Sequence, residues 1–528
     1  MLKDYFEVPN KPAIKSGNIL SCDFTDHETF IPQPLDYTRG TLATYVDCNG
    51  LIKISSVSDT ELVINGDFSD GLNGWSSHGG SILELQDGKA KVTTVGNQGW
   101  IKRPDLSIQS GKTYFCKAEI TNALNPAIFI NGTADQLSPM PLISGNLYGG
   151  YITTTGNNIT FFIRGNNTDG EVSFINNVSV KEVDVNIPRI DYFTEIGKAK
   201  ELQKPSLLLE QQSTNLIEYS QDFTTRSGKW QLFGNATKEL NTVISPDGTK
   251  NAATIKGLNG AGNNDFRYAF SFDTANKTVV YSVYLKGSGT TRLQVSNGVD
   301  QAFNNIITLS GVWQRFSVSG TFNSTSVSTV YLVIDDLGGL TATQYDIWGA
   351  QFEEKGYPTS YIPTTGSTVT RNQDLANNAG QLGVFNSEEG ALYVDIAALA
   401  NAGGDRRITI SDGTINNRLL IYYYAVADKI AFLFNTGGVL QLFDTQDITA
   451  TDYNKIALQW KQNDAKIYIN GTLAHTDTSI NVPSAGTFKQ FQFDDLGSNV
   501  FFGKVKEVKA FRRALTDSEL TELTNNIV

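Results

Sequence analysis

The sequence holds three histidines, His27, His78 and His475. They lie far apart and none has a metal-type partner at ligand spacing, so neither a zinc site nor a Ser-His-Asp arrangement finds its residues. No glycine-rich loop followed by Lys and Ser or Thr is present to cradle a phosphate. Carboxylates do come in adjacent pairs: Glu353-Glu354, Glu388-Glu389, Asp335-Asp336 and Asp494-Asp495. Glycoside hydrolysis needs two carboxyl groups facing each other across a cleft. Neighbours on a strand point to opposite faces, so none of these pairs is by itself a catalytic pair. The residue inventory therefore predicts a protein that is not an enzyme.

Binding asks less of a sequence. A sugar ring lays its C–H face on an exposed aromatic ring, and a few placed polar groups fix its orientation. Trp100, Tyr148 and Tyr151 are candidates for such a role, with Asn97 and Arg164 as polar partners. Further along, Phe266 and Tyr268 stand with Arg292, and then come Tyr422, Tyr423 and Tyr424. Three consecutive tyrosines on a strand cannot share one face, so Tyr422 and Tyr424 are taken together. Trp75, Trp230, Trp313, Trp348 and Trp460 are assigned to cores and strand packing.

The elements that must position these residues are strands. In 113–120 the apolar set Tyr114, Cys116, Ala118 and Ile120 recurs at period two. So do Val279, Tyr281, Val283 and Leu285, and likewise Ala465, Ile467 and Ile469. This alternation describes half-buried strands. Asp87-Gly88 and Asn470-Gly471 supply the positive φ that tight hairpins need. Only the end of the chain reads as helix. There Thr516 is an N-cap, Glu519 its reciprocal partner, and Leu515 and Leu520 a hydrophobic staple, predicting one short helix from about 517 to 525.

The chain has 528 residues, 48 of them Gly and 21 Tyr. That length suggests roughly three or four domains. With 54 acidic against 42 basic residues the net charge is −12, and no basic cluster appears, so a nucleic-acid partner has no electrostatic support. No run of apolar residues is long enough to cross a membrane as a helix. The first residues carry no apolar secretion segment, which leads to the expectation of release without standard secretion. Three cysteines, Cys22, Cys48 and Cys116, are not a disulfide framework. Reducing assembly in the cytosol disfavours a Cys22–Cys48 bridge, and Cys116 reads as a buried strand residue.

An internal repeat organises the middle of the chain. Asn65-Gly66-Asp67-Phe68 precedes Trp75 by the interval at which Ser220-Gln221-Asp222-Phe223 precedes Trp230. A hairpin-rich middle follows in both, and similar strands close them, 172–182 in the first and 345–354 in the second. The expected organisation is an N-terminal segment 1–60, a first sandwich 61–183, a linker 184–216, a second sandwich 217–356, a linker 357–383 and a third sandwich 384–528.

Several stretches resemble a motif set of phage structural proteins. They are Leu35-Asp36-Tyr37-Thr38-Arg39-Gly40 continuing to Asn49-Gly50-Leu51-Ile52, then Pro188-Arg189-Ile190-Asp191-Tyr192, Leu207-Leu208-Leu209-Glu210, Thr214-Asn215-Leu216-Ile217, Gly356-Tyr357-Pro358-Thr359-Ser360-Tyr361-Ile362-Pro363-Thr364 and Val369-Thr370-Arg371. In the simplest form of that pattern the part after Ile52 runs almost directly into Pro-Arg-Ile-Asp-Tyr, so the first sandwich reads as an insertion into an exposed loop. The Asn-Gly-Asp-Phe…Gly-Trp opening resembles carbohydrate-binding modules of the galactose-binding-like jelly-roll type. That resemblance implies a structural calcium near Asp67 in one copy and near Asp222 and Asp346 in the other. Ser173 and Asn176 stand at the corresponding closing place of the first copy. No other cofactor is implied. Residues 384–528 resemble the laminin-G or concanavalin-like lectin sandwich, on Glu389-Gly390-Ala391-Leu392-Tyr393-Val394, Lys466-Ile467-Tyr468-Ile469-Asn470-Gly471 and Arg513-Ala514-Leu515-Thr516-Asp517-Ser518-Glu519-Leu520.

Together these resemblances imply an all-β chain of three tandem jelly-roll sandwiches with an N-terminal anchoring segment. They imply a head or tail fibre or decoration protein of a bacteriophage particle, assembled in the host cytoplasm and released by lysis. Its partners would be other virion proteins and cell-surface or mucus glycans, with homo-oligomers left open. A purely structural decoration protein without sugar binding is the alternative, and a polysaccharide depolymerase a more distant one.

Overall fold

The alternation read from the sequence becomes strands with the expected faces inward. Tyr114, Cys116, Ala118 and Ile120 are fully buried in the strand Thr113–Thr121, as are Val279, Tyr281, Val283 and Leu285 in the strand Thr278–Ser296. The computed structural model describes residues 18–23, 35–47, 49–54, 58, 60–130, 135–137, 140, 142–155, 160–192, 205–224, 229–258, 264–299, 301–379, 385–401 and 403–525. Within these the chain is all-β apart from one helix, Asp517–Thr524, and its strands form three jelly-roll-like sandwiches. His27 and the Cys22–Cys48 pairing lie outside the described residues. Cys116 is buried with a free thiol, which burial pushes up.

The first sandwich stacks a five-stranded sheet on a six-stranded one. The five run in the order Asp135–Leu137, Ala127–Ile130, Phe161–Arg164, Trp100–Arg103 and Ser76–His78. The six run Leu142–Ser144, Leu147–Thr153, Thr113–Thr121, Val172–Val183, Lys89–Thr93 and Ile82–Gln86. In the second sandwich one long strand, Thr278–Ser296, serves both layers. Its first half pairs with Gln314–Thr321 and Gln344–Glu353, its second with Ala302–Ser310 and Thr329–Asp335. A strand that turns a corner between sheets favours small residues at the bend, and here the bend falls at Lys286-Gly287-Ser288-Gly289.

The repeat is visible atom by atom. Trp75 Nε1 donates to the Asn65 carbonyl at 3.0 Å, and Trp230 Nε1 to the Tyr219 carbonyl at 2.9 Å. Each indole packs on the Phe of its own opening, Phe68 at 5.3 Å and Phe223 at 5.1 Å between ring centroids. Each closing strand then bulges. Asn177 and Gly349 take positive φ, and the next residue donates its N–H to the opening loop, Val178 to Gly66 at 2.9 Å and Ala350 to Ser220 at 3.0 Å. A bulge conserved in two copies re-aims a strand in both.

The third sandwich is wider than its sequence span. Its larger sheet holds Glu389–Ala397, Gly503–Phe511, Asn454–Lys461, Ala465–Ile469 and Thr472–Asp477, and it also takes in Arg189–Asp191, Ser206–Leu209 and Asn18–Asp23. The smaller sheet runs Val439–Asp447, Lys429–Thr436, Arg418–Tyr423, Arg406–Ser411 and Gln490–Gln492. The helix covers the outer face of the larger sheet, with Leu515 and Leu520 packed against Tyr393, Tyr468 and Phe511. Thr516 and Glu519 form the expected capping box.

Two expectations are corrected here. The described parts of 184–216 and 357–383 are not linkers, and the described part of 1–60 is not a separate segment. Asp36–Thr38 pairs with Leu375–Asn377, and Ser213–Asn215 with Val369–Arg371. The hairpin of Thr44–Val46 and Ile52–Ile54 lays Val46 and Ile52 on Ala252, Tyr284, Trp348 and Tyr361 of the second sandwich. Proline and short strands disguised these segments as connectors.

At their meeting point sits a buried ion-pair network. Arg189, fully buried, reaches Glu210 at 2.7 Å and also binds Asp374. Arg39 meets Asp374 at 2.9 Å, and Arg371 lies 3.4 Å from Glu210. Ser360 gives Glu210 two more hydrogen bonds, from its N–H at 2.7 Å and its hydroxyl at 2.6 Å. Burial alone would raise the Glu210 carboxyl, but Arg371, Arg189 and Ser360 hold it well below the usual carboxylate range. Burial pushes Arg39 down to about 10 against the pull of Asp374. Arg39, Arg189, Glu210, Ser360 and Arg371 lie in the motif stretches singled out in the sequence, and Asp374 three residues beyond one.

Candidate functional site

Each sandwich turns one sheet face away from its core, and the positions of the sequence candidates depend on which face they occupy. In the second sandwich Phe266 and Tyr268 are fully buried, with Trp230 stacked on Phe266. They are corrected here from binding residues to core residues. The physical reason is the period of two: the outward residues of Asp265–Ser271 are the odd ones, Asp265 and Arg267.

That outer face is polar and ordered. The register sets Asp265 opposite Asp335 and Asp335 opposite Arg292. Arg292 grips Asp335 with two bonds, Nε at 3.0 Å and Nη2 at 2.6 Å. Arg267 bonds Asp265 through Nε at 2.8 Å while its guanidinium lies 3.7 Å over the Phe233 ring. The hydrogen bond to Asp265 holds Arg267 above its ordinary value. One row along, Gln294 donates to Asn304 at 2.6 Å. Carboxylate, guanidinium and amide groups thus alternate beside an aromatic edge. Of this set the sequence reading had only Arg292; the alternation of Phe266 and Tyr268 was the signal that could have found Asp265 and Arg267.

In the first sandwich, Arg164 and Trp100 do come together. They are opposite residues on paired strands, with His78 opposite Trp100 on its other side. The Arg164 guanidinium lies 4.6 Å over the indole and Phe129 is 4.4 Å away, so Trp100 is only 8% exposed. The indole is therefore a covered ring, not an open platform. Phe162 and His78, 4.8 Å apart on the same face, are the accessible rings that sequence reasoning missed. Tyr148 and Tyr151 lie on the opposite sheet. Tyr148 packs against the core, and Tyr151 lies against Phe115 at 4.8 Å. Asn97 sits exposed in a turn.

In the third sandwich Tyr423 points into the core, while Tyr422 and Tyr424 share the outer face of the smaller sheet with Leu420 and Leu433. Tyr422 is 3% exposed, under the Arg407 guanidinium at 5.1 Å, which corrects it from contact residue to floor. Tyr424 and Phe443 remain accessible, 6.2 Å apart. Asp495 holds both Arg407 and Arg418 at 2.5 Å on the same side.

The calcium expectation does not fit these residues. Calcium takes six to eight oxygen ligands. Asp67 is exposed and accepts from Ser69, Asp222 accepts from Thr224, and Asp346 accepts from Thr254 on its neighbouring strand. Among the described residues no three His, Cys, Asp or Glu side chains cluster as metal ligands do. Ser173 and Asn176 do not add a carboxylate. The adjacent acidic pairs are likewise divided: Asp335 faces Arg292 outward while Asp336 binds Asn264, and Glu353 is buried on Ser213 and Thr359 while Glu354 reaches Lys277.

Comparison with known proteins bears most directly on the third sandwich. No curated protein matches the sequence. Among solved structures, the chain is similar to the Ruminococcus gnavus IT-sialidase CBM40 bound to alpha2,3 sialyllactose, at 16% identity over 28% of this chain and 94% of that one, with a TM-score of 0.24. It is similar to domain 4 of AbnA, a GH43 extracellular arabinanase of Geobacillus stearothermophilus in complex with arabinotriose, at 14% identity over 33% and 84%, with a TM-score of 0.25. It is also similar to the binding domain of botulinum neurotoxin serotype G, at 14% identity over 29% and 39%, with a TM-score of 0.23. Residues 397–521 match the laminin G family model described as the concanavalin A-like lectin/glucanases superfamily, so the C-terminal sandwich is similar to concanavalin-like domains.

Proposed function

We propose that the chain is a non-catalytic, glycan-binding adhesion protein of a bacteriophage particle, in its head or tail fibre or decoration. The observation that carries the binding part is the outer strip of the second sandwich, where two Arg–Asp pairs and an amide pair alternate beside Phe233. Such a strip offers hydrogen-bond donors and acceptors in a row. Shallow open faces bind weakly one at a time and gain through multivalency. The virion part rests on the motif resemblance, whose residues are those that build the buried hub.

The test uses the purified full chain on arrays of bacterial surface polysaccharides and mucin glycans. Arg267→Ala with Arg292→Ala is expected to lower retention about 10-fold or more, a loss of about 1.4 kcal/mol. Unchanged retention removes the strip from the reading, and absence of any glycan binding by the parent chain removes adhesion itself. Antibody-gold labelling of intact particles with serum against residues 384–528 tests the location.

A second reading, decoration without sugar binding, is favoured by one surface. The outermost strand of the smaller lectin sheet, Val439–Asp447, exposes Val439 at 60%, Leu440 at 56% and Phe443 at 48%. An apolar edge strand is a ready pairing surface for another protein. Saturable binding of the chain to particles lacking it, abolished by Leu440→Lys, would favour this reading.

A further inference from the structure

The hub walls a cleft of about 670 Å³ that none of the outer faces contains. That volume lies within the range of ligand pockets, which gather at domain interfaces. Its wall comes from four places: the N-terminal hairpin, the 357–361 turn, the second sandwich and the rim of the third. Glu210 and Ser360 belong both to this wall and to the ion-pair network, so the cleft is held in shape before anything enters it.

The lining chemistry is specific. Tyr45 and Tyr357, half-buried and from different segments, bring rings and hydroxyls to one space, and Tyr453 beside them carries Lys506 Nζ over one ring face at 3.6 Å. Arg315 is buried on the wall, where Nη1 donates to the Thr359 carbonyl at 2.6 Å and Nη2 to Ser282 at 2.9 Å, while Nε has no hydrogen-bond partner. Asp191 and Lys504 put a carboxylate and an ammonium on the same wall. Burial raises the Asp191 carboxyl, and Lys504 opposes that rise. With both signs of charge present, a ligand needs no net charge to match the site. It needs flat apolar faces for the tyrosines and many hydroxyls for the polar groups.

The geometry points to a pocket for the end of a neutral glycan, about one to three rings deep, distinct from the open faces that run along a chain. The ligand class rests on the glycan-binding reading above; the placement rests on the cleft. A cleft walled on several sides favours a chain terminus, whereas an open strip reads internal units, and one protein with both would hold a polysaccharide by two different features.

The test is calorimetry on the full chain with two probes: mono- to trisaccharides released from bacterial surface polysaccharide, and the undegraded polysaccharide. Thr451 is exposed at the cleft mouth, so Thr451→Trp fills the entrance with little risk to folding. It is expected to weaken the short saccharides 10-fold or more, and Tyr357→Ala to do the same. Arg292→Ala, on the outer strip, is expected to weaken the polymer. Short saccharides that bind Thr451→Trp and Tyr357→Ala as tightly as the parent overturn the pocket and leave the adhesive reading standing. A parent chain that binds neither probe overturns the adhesive reading and the pocket with it.

Discussion

The two repeat copies share a frame and differ in what surrounds it. In both, an indole clamps the opening loop and a bulged closing strand donates an N–H back to it. At the carbonyl that receives this N–H, the first copy has Gly66 and the second Ser220. A Cβ on Gly66 would stand 2.0 Å from the Val178 carbonyl oxygen. In the second copy the side chain has found room, and the Ser220 hydroxyl reaches Tyr361 at 2.6 Å. The same frame position is closed to any side chain in the first copy, and is a docking handle in the second, bound to the hub. A repeated frame conserves its clamp; its surroundings decide which positions become contacts.

This contrast can be broken most sharply at the hub. Arg189→Met leaves Glu210 and Asp374 buried beside one fewer cation, and removing one partner of a buried pair costs about 3–5 kcal/mol. Urea unfolding should show that loss in the transition of the second and third sandwiches and not in that of the first. A uniform shift in all transitions would mean that the copies are not energetically separate. Gly66→Ala acts the other way, forcing an overpacked contact worth about 1–3 kcal/mol in the first copy alone. Hydrogen exchange of Val178 and its neighbours would report it.

The capping carboxylate gives a smaller, pH-dependent effect. Hydrogen bonds from Arg513 and from the Thr516 N–H hold Glu519 down to about 2. A depressed carboxyl stabilises the fold above its ordinary value of 4.5, and that contribution is lost as pH falls toward about 2. Helix docking, followed by exchange at Leu520, should therefore weaken across that window, and Glu519→Gln should flatten the dependence. Smallest of all is excision. Ser58 N–H bonds the Glu182 carbonyl at 2.8 Å and Leu62 N–H the Val180 carbonyl at 2.9 Å, so the first copy enters and leaves at adjacent points. Joining Thr60 to Asp184 should leave the remaining transitions within about 0.5 kcal/mol of the parent.

The legible part of the fold was local. Period-two alternation in Thr113–Thr121 and Thr278–Ser296, the Asn470-Gly471 turn and the Thr516–Glu519 box each act within a few residues, and each is present as read. The hub was not legible, because its strands are only three or four residues long and too short for periodicity to register. Its partners are set by tertiary packing. Among binding residues, an aromatic side chain alone does not disclose which way it faces. Phe266 and Tyr268 went into the core because the apolar phase of that strand faces Trp230, and the informative residues were the charged neighbours between them.

The ion pair of Arg39 with Asp374 spans 335 residues of sequence. A chain emerging from the ribosome makes its first two sandwiches from local segments, and domains tend to fold as units in that order. Arg39 and the strand Ser206–Leu209 must then wait for residues that appear much later, Asp374 and Gly503–Phe511. Closure of the hub therefore follows synthesis of the first two sandwiches. A product truncated before Asp374 would carry finished sandwiches with Arg39 lacking its carboxylate and Arg189 left with Glu210 alone, and so would bear a mark of incompleteness that the closed hub hides.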